Sequence, residues 1–123
     1  MKRSIAVILS FILLVLALVI DPARAQQKAE KTLKGEIVDV IAFVSSGPGQ
    51  AAEAVSKSGF SGNPLGFYDT TQKKLYLVGV PEMNGNANKK LLPYVGLHVF
   101  VIGKVYAQGG VNLILVSTIG KAI

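Results

Sequence analysis

Two long apolar runs separated only by Gly109-Gly110 constrain this chain more than any other feature. Residues 97–108 (LHVFVIGKVYAQ) and 111–119 (VNLILVSTI) are rich in β-branched and aromatic residues, and two adjacent glycines supply the positive φ that a type I′ turn needs at both central positions. The C-terminal third is therefore expected to be a β-hairpin. A second hairpin is expected upstream, where LGFYD (65–69) and KKLYLVGV (73–80) flank Thr70-Thr71-Gln72. Residues 33–44 (LKGEIVDVIAFV) alternate in part and are β-branched, which predicts a first strand. The second half of that segment is apolar on both parities, as a strand buried on both faces would be.

Between these strands the helical signals are short. Ser45-Ser46-Gly47-Pro48-Gly49 breaks the chain, and residues 50–57 (QAAEAVSK) have the alanine content of a helix ending at Ser58-Gly59. At about two turns it must lean on the sheet to persist. Residues 88–94 (NKKLLPY) predict a single helical turn capped by Asn88 before Gly96. The resulting order is strand, helical insertion, two strands, short helix, two strands. That is the order of an all-β, five-stranded Greek-key barrel of the oligonucleotide/oligosaccharide-binding (OB) type, with its short helix between strands 3 and 4.

The N-terminus reads differently. Lys2 and Arg3 precede an apolar run over residues 5–20 broken only by Ser10, and Asp21-Pro22 and Ala23-Arg24-Ala25 follow. This is the pattern of a secretory signal peptide over residues 1–25, with cleavage after Ala25. An uncleaved anchor is the competing reading, although the run is shorter than the roughly 20 residues a bilayer-spanning helix needs. Residues 26–31 (QQKAEK) are polar and aperiodic and are expected to be a flexible mature N-terminus; the folded domain is expected over residues 32–123. The expected location is the periplasm or the exterior.

Composition excludes several function classes. There is no cysteine, which removes thiolate catalysis, thiolate metal sites and a disulfide scaffold. Past residue 25 the ten basic residues are all lysine, against six carboxylates. Without guanidinium forks, base-specific nucleic-acid reading is disfavoured. His98 is the sole histidine; one histidine without cysteines cannot build a clustered zinc or copper site, so no metal or cofactor is expected.

The run NKKLLPYVGLHVFVIGKVYAQGGVNLILVSTI (88–119), with its LxPYxG and GKVY elements, resembles the back half of small OB-fold proteins of bacterial envelopes. GEIVDVIAFV (35–44) and NPLGFYDTTQKKLYLVG (63–79) are similar to the same exported family, whose function is uncharacterised. The resemblance implies a fold, and such folds host many functions. Members of the family often carry cysteines and a histidine near the end of the first strand and in the insertion after it, which implies a metal or disulfide site there. This chain has Ala42 at the former place and neither residue type over residues 45–59, so no functional residue carries across.

Candidate chemistry is sparse. The carboxylates Glu30, Glu36, Asp39, Glu53, Asp69 and Glu82 offer no same-face pair: Glu36 and Asp39 differ in strand parity. Ser45 and Ser46 lack a nucleophile elbow. The SGPGQ segment before a helix has neither a Walker lysine nor dinucleotide-loop spacing. Tyr68, Tyr76, Phe100 and Tyr106 with Lys73, Lys74, Lys104 and His98 are the candidate ligand-binding residues, since aromatics and lysines on an open OB face could hold a ligand. His98 is expected on the strand, sharing a parity with Phe100, Lys104 and Tyr106. The expected function is an exported, non-enzymatic binding or accessory module that engages an envelope protein partner or ligand through a partly apolar face, with membrane contact only through an uncleaved leader. The alternative is a polyanion or single-stranded nucleic-acid binder; a hydrolase with a site assembled from scattered residues is the third class.

Overall fold

The computed structural model shows a β-rich chain whose first strand faces two different neighbours. It describes residues 29–82 and 85–123; the leader assigned to residues 1–25 lies outside them. The elements are β1 (Glu30–Asp39), α1 (Val40–Ser46), α2 (Ala52–Phe60), β2 (Leu65–Asp69), β3 (Lys74–Gly79), α3 (Ala87–Leu91) with a 3-10 turn at Leu92–Tyr94, β4 (Val99–Gln108) and β5 (Val111–Lys121). The strands form one closed sheet in the order β1-β2-β3-β5-β4. All pairings are antiparallel except β3 with β5, which run parallel over Leu77–Gly79 and Leu113–Leu115.

Closure depends on β1 changing partners. Its first half, Glu30 to Gly35, pairs with β4, and its second half, Gly35 to Asp39, pairs with β2. Gly35 belongs to both ladders, and a Cβ there would sit 1.9 Å from the carbonyl oxygen of Tyr68 and 3.0 Å from the Phe67 ring. Only a residue without a side chain allows the strand to coil this tightly into the next one. Inward-facing residues Leu33, Ile37, Leu65, Phe67, Tyr76, Val99, Val101, Ile114 and Val116 fill the interior, joined by Val55 of α2 and Leu91 of α3. Burying an aliphatic side chain of this size stabilises a fold by about 1.5–3 kcal/mol.

A bulge in the β4–β5 ladder falls between Ile102/Thr118 and Gly103/Val116, leaving Ser117 without an opposite residue. Its hydroxyl donates to the Ile102 carbonyl at 3.0 Å and contacts the Glu30 carboxylate at 3.2 Å. The Lys90 ammonium donates to the Val116 and Ser117 carbonyls, each at 3.3 Å. Bulges release main-chain groups from the ladder, and here side chains from β1 and α3 gather around the released ones.

Several expected boundaries are corrected. The first strand does not run over residues 33–44: it ends at Asp39, and residues 40–46 turn into helix because the Asp39 carboxylate caps it. The fold begins before residue 32, since Glu30 and Lys31 pair with Lys104 and Gly103 of β4. The insertion helix spans Ala52–Phe60 rather than residues 50–57. Asn88 does not cap α3. That role belongs to Asn86, whose side chain accepts from the Lys89 amide at 3.2 Å.

Asn88 instead lies within α3 and ties three segments together. Its side chain accepts from the Leu65 amide at 3.0 Å and donates to the carbonyls of Asn63 at 2.7 Å and Gly59 at 3.2 Å. The last strands shift as well: β4 starts at Val99, leaving His98 ahead of it, and β5 runs on to Lys121. Among the described residues no helix is long and apolar enough to cross a membrane.

Candidate functional site

Outward-facing positions of a closed sheet are normally polar, yet β3 and β5 place Leu75, Leu77, Val111, Leu113 and Leu115 there. Leu77 opposes Leu113, which in turn opposes Tyr106 of β4. These residues make an apolar stripe across three strands. Leu77 is 39% exposed and Val111 49%, so solvent reaches it.

The helix α1 forms one wall beside this stripe, and a single carboxylate sets its position. Asp39 is buried. Its Oδ1 accepts from the amides of Ile41 at 2.9 Å and Ala42 at 3.3 Å, and its Oδ2 accepts from the Ser58 hydroxyl of α2. Its main chain is clasped by the Gln50 side chain, which accepts from the Asp39 N–H at 2.8 Å and donates to its carbonyl at 2.9 Å. An amide side chain has the same donor–acceptor pair as a peptide unit, so Gln50 pairs with the end of β1 as a neighbouring strand would. Thus β1, α1 and α2 meet at one residue.

Fixed in this way, α1 packs over β2. A Cβ on Gly66 would lie 2.7 Å from Cγ2 of Val40, so the small residue lets the helix approach. The Phe43 and Tyr68 rings stack at 4.9 Å between centroids, tilted by 46°. Val44, 74% exposed, and Val40 face a cleft of about 400 Å³ whose other walls are Lys73, Lys74, Leu75 and Leu77 on one side and Gly110, Val111 and Asn112 of the β4–β5 turn on the other.

The structure divides the eight candidate residues. Lys73 and Lys74 are exposed and line the cleft, and Tyr68 is half-buried beside it under Phe43. Tyr106 is exposed at the far end of the apolar stripe. Phe100 and Lys104 also lie on the outer face of β4, but Phe100 is half-buried over Gly120, and Lys104 opposes Glu30. Tyr76 is corrected: at 4% exposure it belongs to the interior, opposite Phe67, and no ligand on the outer face can stack on it. His98 is not on the strand. It is exposed in the approach to β4, with its carbonyl accepting from Ala122, so the parity it was expected to share with Phe100 does not apply.

Residues that sequence reasoning missed are the aliphatic walls, Val40, Val44, Leu75, Leu77 and Val111. The available signal was the doubly apolar character of residues 75–78 and 111–116. A separate hollow of about 210 Å³ brings His98 near Glu36 and Gln50. Its lining holds no serine or threonine for that histidine to activate. Among the described residues no group of three or more histidines or carboxylates is placed to hold a metal ion. A wider depression, about 810 Å³, lies between α2 and α3 and is lined mainly by glycine, asparagine and Phe60.

Burial pushes the Tyr76 phenol above its ordinary value of 10.0, and the nearby Asp69 carboxylate adds to the shift. Below about pH 10 both folded and unfolded chains are protonated at this group and its contribution is complete. As pH rises further the unfolded chain ionises first, so stability falls. Tyr76→Phe is expected to flatten that alkaline loss; urea midpoints of both proteins at pH 8 and pH 11 measure it.

No protein-family model, curated protein or solved structure matches this chain. The cleft's chemistry is therefore the guide to its use.

Proposed function

We propose that this chain is an exported, non-enzymatic binding or accessory module of the OB-fold type, which engages a protein partner through the apolar outer-face cleft. The observation that carries this reading is the cleft's position. It lies on the β3 side of the closed sheet, with the insertion after β1 on one flank and the β4–β5 turn on the other. On Greek-key OB barrels that face and those two loops form the binding surface. The strand order, the parallel β3–β5 contact and the helix between β3 and β4 support the OB assignment. Export rests on the leader pattern of residues 1–25.

The cleft's walls are aliphatic and open, which suits a partner that buries them on association. A photo-crosslinking residue placed at Val44 is expected to capture a discrete component of the native envelope, and the same residue at Phe60 is not. Val111→Glu is expected to abolish capture from position 44. Equal capture from both positions, or capture unaffected by Val111→Glu, would overturn the reading.

The polyanion alternative has Lys73 and Lys74 at the cleft in its favour and the burial of Tyr76 against it. Affinity for a polyanion falls steeply with added salt as counterions are released. Binding through aliphatic walls does not.

A further inference from the structure

We infer that the occupant of this cleft is an extended peptide segment of the partner, apolar along most of its length and carrying a carboxylate that meets Lys73 and Lys74. The inference rests on the binding role proposed above and adds the chemistry of what binds.

Charge complementarity is the first argument. The five aliphatic walls, Val40, Val44, Leu75, Leu77 and Val111, share the cleft with two lysines and no carboxylate. Of the acids nearest in sequence, Asp39 is buried and spent on the Ile41 and Ala42 amides and the Ser58 hydroxyl, and Asp69 is buried with its Oδ1 accepting from the Thr71 and Gln72 amides at 2.9 and 3.0 Å. The work of Asp69 is to hold the β2–β3 turn. An apolar ligand with a negative charge at one end matches this lining, and a neutral or cationic one leaves two lysines facing it.

Lys73 gives the second argument. It has φ of 56°, and it is the one non-glycine residue with positive φ among the described residues. A lysine in that conformation is strained by Cβ–carbonyl crowding, which glycine avoids. The last residue of such a turn is ordinarily glycine or asparagine for this reason. Folding alone therefore gives no reason for a lysine here, whereas a charge needed at the cleft does.

The third argument separates a peptide from an acyl chain. The β3–β5 ladder begins only at Leu77 and Leu113. One step earlier, the Leu75 carbonyl receives the Asn112 side-chain amide at a long 3.4 Å instead of a strand. A bond of that length is weak, and an incoming main-chain N–H could replace it, as extended peptides do when they add to a sheet. A hydrocarbon tail has nothing to offer that carbonyl.

A phage-displayed library of random nine-residue peptides, selected against the purified protein, tests this. The selected sequences are expected to combine aliphatic residues with aspartate or glutamate. A fluorescent consensus peptide is expected to bind at least tenfold more weakly to Lys73→Gly and to Lys74→Gln, and its amide counterpart, with Asn or Gln for the acid, is expected to bind the parent and both variants alike. Lys73→Gly should have a thermal midpoint at or above the parent's, which separates a lost contact from a damaged fold. Selection of no acidic consensus, or of one indifferent to Lys73→Gly and Lys74→Gln, overturns the peptide proposal. So does tight binding of laurate or of heparin at the cleft in place of peptide. In each of those cases continued site-specific capture from Val44 leaves the binding role standing, and its loss removes both.

Discussion

Gly35→Ala is expected to destabilise this protein by about 4 kcal/mol or more, a large effect for one added methyl group. The reason is where the methyl lands. The Cβ would lie 1.9 Å from a main-chain oxygen, that of Tyr68, and 2.8 Å from its carbonyl carbon. Neither can move without separating β1 from β2, whose pairing over five residues holds the ring closed. Gly120→Ala is the informative control. Its Cβ would meet only ring atoms of Phe100 at 2.7 Å, and that ring lies on the outer face, where it can swing away. A cost of about 1 kcal/mol is expected there. Urea unfolding of the two variants decides the matter; equal costs would mean that β1 and β2 are not so closely coiled around Gly35.

Asp39→Ala is the second large effect, expected at about 3 kcal/mol. The substitution removes a helix cap, typically worth 0.5–2 kcal/mol, and leaves the Ile41 and Ala42 amides and the Ser58 hydroxyl without their acceptor. Unpaired groups near the interior add about 1 kcal/mol or more. Because α1 has no buried residue of its own, the cap is a large part of what holds it as a helix. Its loss should free Phe43 from Tyr68 and dismantle one wall of the cleft. Asp39→Asn retains an acceptor and should recover about half of the loss. Hydrogen exchange at the amides of residues 41–46 reads the fraying directly: unchanged protection in Asp39→Ala would show that α1 is held by something else.

The strands were legible in the residues because their inward positions alternate. Leu33 and Ile37, Val99 and Val101, and Ile114 and Val116 each fall two or four residues apart and are all interior. The Gly109-Gly110 turn was legible for a steric reason: both glycines take positive φ, 60° and 80°, which other residues resist. The helix at Val40–Ser46 was not. Val40, Ile41, Phe43 and Val44 favour a strand by intrinsic propensity, and Asp39, whose capping role overrides that preference, looks like any strand-end residue until Ser58 and Gln50 are brought to it. Asn88 was misread for the opposite reason. Its type suits a helix cap, and only the approach of Leu65, Asn63 and Gly59 gives its amide a different set of partners.

The candidate site was legible only in part. Lys73 and Lys74, singled out beside the strand aromatics, are exposed and line a cleft whose other side chains are mainly aliphatic. Tyr76 was misplaced, because residues 75–78 are apolar on both parities, and alternation then fails to say which face is inside. Periodicity and turn chemistry, acting over a few residues, determined the hairpins, the five strands and the helices near residues 52–60 and 87–91. The closed order of those strands, the burial of Tyr76, the strained backbone at Lys73 and the juxtaposition of α1 with the β4–β5 turn were decided by the tertiary structure. Closing the sheet joins β1 to β4 across 64 to 74 positions and β3 to β5 across 36, separations that no local pattern encodes.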